Sequence, residues 1–191
     1  QADIKAISAN GAYAMAAITA LTVQNTKGVS GVHMVPPSFV ADQITAVFAD
    51  IRVDAVKVGM IANADIARAV ADVLRLHVNL PIVLDPVMIA KGGAPLLDED
   101  AIATVRNALL PLATVLTPNL PEAAHLLGVA PAITPDEMVV QGHALCALGP
   151  KAVLMKGGHL NAIDSPDVLV MQAGEHWFNA PRVMTEKTHG T

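Results

Sequence analysis

A single cysteine, Cys146, excludes an internal disulfide and fits a reducing, cytoplasmic setting. It lies in "HALCALG", where a buried helical thiol is expected. Aromatic residues make up 3% of the 191 positions, and 12 Lys plus Arg face 17 Asp plus Glu, a formal charge of -5. With no basic face and little to stack on bases, nucleic acid is not an expected partner. No apolar run reaches the roughly 18 residues of a membrane span, so no membrane partner is expected either. The richest run, "AYAMAAITALTV" (12–23), is broken by small and polar residues and reads as buried core. Familiar nucleotide and nucleophile motifs are missing as well. There is no G-x-x-x-x-G-K-[ST] loop, no G-x-G-x-x-G after a strand and no G-x-S-x-G elbow, and the seven His lack metal-ligand spacing. These absences argue against P-loop enzymes, dinucleotide dehydrogenases, nucleophile-elbow hydrolases and a His-based metal centre.

What is present demands a large core. Hydrophobic residues reach 53% against 15% charged, which excludes disorder and favours one domain over residues 1–191. Nearly continuous apolar strands are expected at "DAVKVGM" (54–60), "PIVLDPV" (81–87), "ATVLTPN" (113–119) and "KAVLMKGG" (151–158). Helical patterns separate them. "NADIARAVADVLRLH" has Asn63 as its N-cap and Ile66, Val70, Val73 and Leu74 along one side. "DEDAIATVRNALLP" should stop at Pro111, and "TPDEMVVQGHALCALGP" opens with a capping box on Thr134 and Glu137. "DVLVMQAG" and "EHWFNAPRV" leave no room for a crossover helix and predict an antiparallel edge hairpin. The fold class is therefore α/β, a mostly parallel central sheet in a three-layer α/β/α arrangement.

In such a sheet, ligands bind beyond the carboxyl ends of the strands. Those ends carry Gly59-Met60, Asp85-Pro86-Val87-Met88, Thr117-Pro118-Asn119 and Lys156-Gly157-Gly158-His159. One ligand site served by several loops explains all four. Lys156 followed by two glycines places a cation beside backbone that a ligand can approach, and "THGT" (188–191) offers N–H groups and hydroxyls, both suited to an anion. Asn119 and Glu122 in "NLPE" can share a helical turn and present an amide oxygen and a carboxylate to hydrated Mg²⁺. Plainer readings stand beside these. Asp3 caps a helix, Met60 and Val87 pack in the core, Asp85 ends a strand before Pro86, and Glu122 favours a helix start. His159 and His189 carry no assigned role.

"QADIKAISANGAYAMAAITALTVQNTKGV", "VKVGM", "LDPVMIAKGGAPLL", "LTPNLPEAAHLLG", "VLMKGGHL" and "THGT" occur in order over nearly the whole chain. Together they resemble the hydroxymethylpyrimidine and phosphomethylpyrimidine kinases of thiamine biosynthesis, within the ribokinase-like superfamily. The resemblance implies ATP-dependent phosphorylation of a hydroxymethylpyrimidine and then of its monophosphate, with ATP and Mg²⁺ as cofactors and a homodimer as assembly, the hairpin near "DVLVMQAG" being one candidate surface. By the same resemblance Gln24 reads the aminopyrimidine edge, and Asp3, Met60 and Val87 line its pocket. Asp85 and Glu122 serve the metal, Asn119, Lys156 and Thr191 the nucleotide, and Gly190 with Thr191 forms part of an anion hole. The family pattern continues past "THGT" through a Gly and a Cys proposed as catalytic base, and it begins before "QADIK" with a Gly-rich segment. The 191 residues are thus expected to lack both that segment and the catalytic helix. Two alternatives remain at this point, a pyridoxal kinase of the same superfamily and a non-catalytic pyrimidine-binding or regulatory protein.

Overall fold

The computed structural model describes residues 2–25, 28–88, 99–161 and 163–183. Helix α1 (Ala2–Ala9) is followed by the apolar run that was expected in the core, and the run is not there. Strand β1 (Ala20–Asn25) pairs antiparallel with β2 (Gly28–Met34) in a two-stranded ribbon, and Tyr13, Leu21 and Val23 are 80%, 57% and 67% exposed. A two-stranded ribbon has too few strands to bury its own apolar side chains. The composition of 12–23 states a need for cover without stating where cover comes from.

The ribbon is tied down at its base. Gln43 on α2 (Pro37–Asp50) accepts from Ile18 N at 2.9 Å and donates to Ile18 O at 3.1 Å, while Thr19 Oγ1 donates to Met60 O at 2.9 Å. Its register steps from Val23↔Gly31 to Gln24↔Val29, leaving Ser30 as the extra residue of a bulge. Ser30 Oγ donates to Val23 O at 3.2 Å across it. A bulge re-aims the residues beside it, and Gln24 is the next one along.

The main sheet has six strands in chain order: β3 (Val56–Val58), β4 (Ile82–Leu84), β5 (Val115–Leu116), β6 (Ala152–Met155), β7 (Asp167–Met171) and β8 (Gly174–Phe178). The first four are parallel; β7 and β8 run antiparallel and form the expected edge hairpin. The strands are shorter than the apolar runs predicted, since pairing ends where the loops that bear polar residues begin. Val58, Leu84, Leu116, Val153 and Val170 share one face through the register and are buried. Alternate positions such as Val83, Val115 and Leu154 are half-buried on the other face, where Lys57 meets Asp3 of α1.

Because strand order follows chain order, right-handed crossovers put α3 (Ala64–Leu74), α4 (Glu99–Thr104) and the pair α5 (Leu120–Leu127) and α6 (Pro135–Cys146) on one side. Asn63 caps α3, accepting from Ile66 N at 2.9 Å; Ile66, Val70 and Leu74 are buried as the spacing predicts, while Val73 is half-buried. Thr134 and Glu137 form the predicted capping box on α6. Pro111 acts less simply than a stop. It lacks an N–H and crowds the preceding turn, so the helix widens into a π segment (Val105–Leu109) and tightens into a 3-10 turn (Leu110–Leu112) across it. Cys146 is half-buried rather than fully inside, its thiol donating to Val170 O at 3.6 Å. Burial pushes its pKa up, so it stays an unreactive thiol at neutral pH.

Candidate active site

Four parallel strands point their carboxyl ends the same way, and three of the four expected loop groups meet there in a chain of alternating charges. Lys156, just beyond β6, reaches Asp85, just beyond β4, with Nζ to Oδ1 at 2.9 Å, and its Nζ is 3.9 Å from Glu122 Oε2 on α5. The other oxygen of Asp85 faces Lys57 Nζ of β3 at 3.6 Å, and Lys57 ends the series at Asp3 Oδ1, 2.6 Å away. Thr117, beyond β5, donates to Asp85 Oδ1 at 3.3 Å. The Lys156 backbone N–H donates to Pro118 O at 2.9 Å, and this bridge keeps the β5 and β6 loops in step.

Asn119 and Glu122 do two jobs. They form a reciprocal capping box at α5, with Asn119 Oδ1 accepting from Glu122 N at 2.9 Å and Glu122 Oε2 accepting from Asn119 N at 2.8 Å. The plainer reading of Glu122 as a helix-start residue is therefore true, and it also holds the carboxylate beside Lys156. At 5% exposure Glu122 is buried, and burial pushes its pKa above the ordinary 4.5. Asp85 pushes in the same direction, while the Asn119 N–H, the Lys156 ammonium and a backbone hydrogen bond with Met88 oppose it.

That shift has a sign for stability. A carboxyl whose folded pKa is raised contributes stability below its unfolded pKa that is lost as pH rises through the folded one. Glu122→Gln removes this loss and retains one acceptor oxygen for the Asn119 N–H. The melting temperature of the variant relative to wild type is expected to improve as pH is raised from 4.5 to neutral, by roughly 2–4 °C per kcal/mol. Paired thermal melts that stay parallel across that range would show that Glu122 is not held unfavourably charged.

The remaining sequence candidates fall in three groups. Met60 and Val87 are half-buried at the ends of β3 and β4, so neither is closed into the core, and Met60 also anchors the ribbon through Thr19. Gln24 is exposed on β1 beside the bulge, with Thr22 Oγ1 donating to its Oε1 at 3.4 Å, and is not part of the charge chain. Gly190 and Thr191 lie outside the described residues. Sequence reasoning gave Lys57 no role, although it lies in "VKVGM" and a lysine inside an otherwise apolar strand was a signal. It also passed over Arg182, whose guanidinium donates to Gly158 O at 3.0 Å and Leu160 O at 2.6 Å and so holds the turn after Lys156.

Chemically, the cluster offers three carboxylates, of Asp3, Asp85 and Glu122, and two ammonium groups, of Lys57 and Lys156, at the mouth of a parallel sheet. Among the described residues no group of three or more His, Cys, Asp or Glu could hold a metal ion by itself. Two hard oxygen donors nevertheless fit Mg²⁺, which usually takes one or two carboxylates and fills its remaining positions with water and substrate phosphates. Lysine beside them suits phosphate oxygens.

Comparison with known proteins weighs the kinases that share this chemistry. A family model described as phosphomethylpyrimidine kinase matches residues 1–191. The chain belongs to the phosphomethylpyrimidine kinase family. It is 53% identical over 191 residues to the hydroxymethylpyrimidine/phosphomethylpyrimidine kinase of Escherichia coli (strain K12), covering 100% of this chain and 72% of that relative. The crystal structure of phosphomethylpyrimidine kinase from Clostridium difficile 630 superposes with a TM-score of 0.86 at 41% identity, over 93% of this chain and 76% of the other. A Bacillus subtilis pyridoxal kinase in complex with ADP gives a TM-score of 0.90 at 31% identity, over 100% and 72%. The backbone therefore does not separate the two kinase types, whereas sequence identity favours the phosphomethylpyrimidine kinases. The shared fold is ribokinase-like, a mixed central sheet with helices. No described helix of this family member is long and apolar enough to cross a membrane.

Proposed function

We propose that this phosphomethylpyrimidine kinase family member transfers the terminal phosphoryl group of ATP to hydroxymethylpyrimidine and then to the monophosphate so formed, supplying thiamine diphosphate biosynthesis. The observation that carries this reading is the whole-chain identity of 53% to a named hydroxymethylpyrimidine/phosphomethylpyrimidine kinase, against 31% to a pyridoxal kinase of equal fold. The charge chain supports it with a division of labour. Asp85 and Glu122 are the residues that would hold Mg²⁺, and bound Mg²⁺ supplies charge neutralisation for the nucleotide phosphates. Lys156 adds a positive charge that draws phosphate oxygens to the β6 end. Asn119 fixes Glu122 by capping and brings α5's amino end to the site. Gly190 and Thr191 form part of the anion hole in this proposal. Asp3, Gln24, Met60 and Val87 line the pyrimidine pocket, with the Gln24 amide donating and accepting side by side as amides do on an adenine edge.

The test is ADP release by the full chain with hydroxymethylpyrimidine, its monophosphate and pyridoxal in turn. Turnover with the first two is expected; a strong preference for pyridoxal overturns the substrate assignment, and binding without turnover favours a non-catalytic role. Within the same series, Gln24→Ala should weaken pyrimidine binding by about 1–3 kcal/mol and leave nucleotide affinity nearly unchanged. Calorimetry that finds equal pyrimidine affinity removes Gln24 from the pocket.

Two copies pair in this proposal. On the hairpin, Val168 and Val170 of β7 are buried, which leaves β8 and the turn as its contact surface. The ribbon exposes Leu21, Val23, Val32 and Met34 and is the more apolar candidate. A sedimentation mass of one chain at high micromolar concentration would end the dimer reading.

A further inference from the structure

Lys57 occupies a position that the reading above does not use. Its ammonium stands between Asp3, on the pyrimidine side of the proposed site, and Asp85, on the nucleotide side, at 2.6 and 3.6 Å. Lys156 has taken the other oxygen of Asp85 at 2.9 Å and leans toward Glu122, so it belongs to the nucleotide side. A lysine ammonium has three donors; one goes to Asp3, and the 3.6 Å contact with Asp85 is an ion pair beyond hydrogen-bond length, so donor capacity remains. The Lys57 side chain is 34% exposed, so a ligand entering between the two sides can reach it.

The two proposed acceptors differ sharply in charge. The alcohol is neutral, whereas its monophosphate brings about -1.5 to -2 at neutral pH. In the proposed site Asp3 and Asp85 stand on either side of Lys57, between pyrimidine and nucleotide, and without a cation between them they would repel that phosphate. Given both substrates, we propose that Lys57 is the specificity-determining residue for the second phosphorylation, its ammonium receiving the phosphate of the monophosphate acceptor between Asp3 and Asp85. In that step an acceptor phosphate oxygen forms a new bond to the terminal phosphorus of ATP. The bond from that phosphorus to its bridging oxygen breaks, and ADP leaves with the electron pair. Lys57 forms no covalent bond; it positions an anion and offsets two carboxylates.

The experiment compares full-chain wild type, Lys57→Met and Lys57→Arg. Two readouts are taken: kcat/KM with each acceptor, and calorimetric affinity for the monophosphate without nucleotide. In Lys57→Met the ratio of kcat/KM for monophosphate over alcohol is expected to fall about 10- to 100-fold, with monophosphate affinity falling alongside, as for a lost charge-assisted hydrogen bond. Some loss with the alcohol is expected too, because Asp85 loses a support. Lys57→Arg should recover most of the ratio, since the charge is kept. An unchanged ratio, whether both activities fall together or neither falls, overturns the proposal, as does equal monophosphate affinity in wild type and Lys57→Met. Failure of wild type to phosphorylate either acceptor is a separate result, and it defeats the kinase reading itself.

Discussion

Lys156→Met is expected to lower phosphoryl transfer by about 10²- to 10³-fold, the range seen when one preorganised group that stabilises developing charge is removed. The geometry makes the effect larger than the loss of a surface lysine. Lys156 Nζ lies 2.9 Å from Asp85 and 3.9 Å from Glu122; among the described residues Lys57 would remain on the far oxygen of Asp85, and no other ammonium or guanidinium pairs with Glu122. Glu122 is already held above the usual carboxylate range by burial, with the Lys156 charge among the opposing influences. Removing that charge raises the folded pKa further. The sign then follows: stability is retained in acid, below the unfolded pKa, and lost as pH rises through the folded value.

Lys156→Met should therefore melt close to wild type in acid and fall behind as pH approaches neutrality. Adding Glu122→Gln should return much of the lost stability at neutral pH and none of the turnover, because the added change removes the uncompensated charge while leaving the cation missing. Thermal melts and ADP release on the single and double variants check both halves. Turnover of Lys156→Met within about threefold of wild type would exclude Lys156 from the nucleotide side, and a melting deficit constant with pH would exclude the charge account of its stability effect.

The contrast between Lys156 and Lys57 shows what the sequence could and could not reveal. Lys156 closes an apolar strand and precedes two glycines, so local pattern marks it. Lys57 sits within "DAVKVGM" at an alternate position of a three-residue strand. Its meaning comes from Asp3 of α1, 54 positions earlier, and from Asp85 just beyond β4, which the parallel register of β3 and β4 brings alongside. Strand positions, the Asn63 cap and the Thr134 capping box were legible because each depends on residues within four positions of one another. The Asn119 and Glu122 pair was legible in spacing and incomplete in meaning, since one i,i+3 spacing serves a cap and an oxygen pair equally. The 12–23 run failed for a different reason. Periodicity and composition report that side chains are apolar, and the partner that covers them is information about another layer.

The glycines after Lys156 carry the other large prediction. As a pair they suggested backbone open to a ligand, yet the two are not alike. A Cβ built on Gly157 would lie 1.8 Å from Pro166 O and 3.0 Å from Pro166 C, while one on Gly158 meets nothing within 4 Å. The chain folds back from β6 to β7 here, with Met155 opposite Val168, so Gly157 and Pro166 face each other in the continuation of an antiparallel pair. Gly157 N also donates to Asp167 Oδ1 at 2.9 Å, which fixes the approach. A methyl cannot be absorbed by rotating a side chain, because the atom it strikes is backbone. Gly157→Ala must part the ends of β6 and β7 or break the bond to Asp167, at a cost of about 3 kcal/mol or more, the upper end for overpacking. For a chain of this size that is roughly 6–12 °C in melting temperature. The displacement begins one residue from Lys156, so turnover should fall further than stability alone explains. Gly158→Ala is the matched control and should melt within about 1 °C of wild type. If the two variants melt alike, close packing on Pro166 is not what position 157 requires.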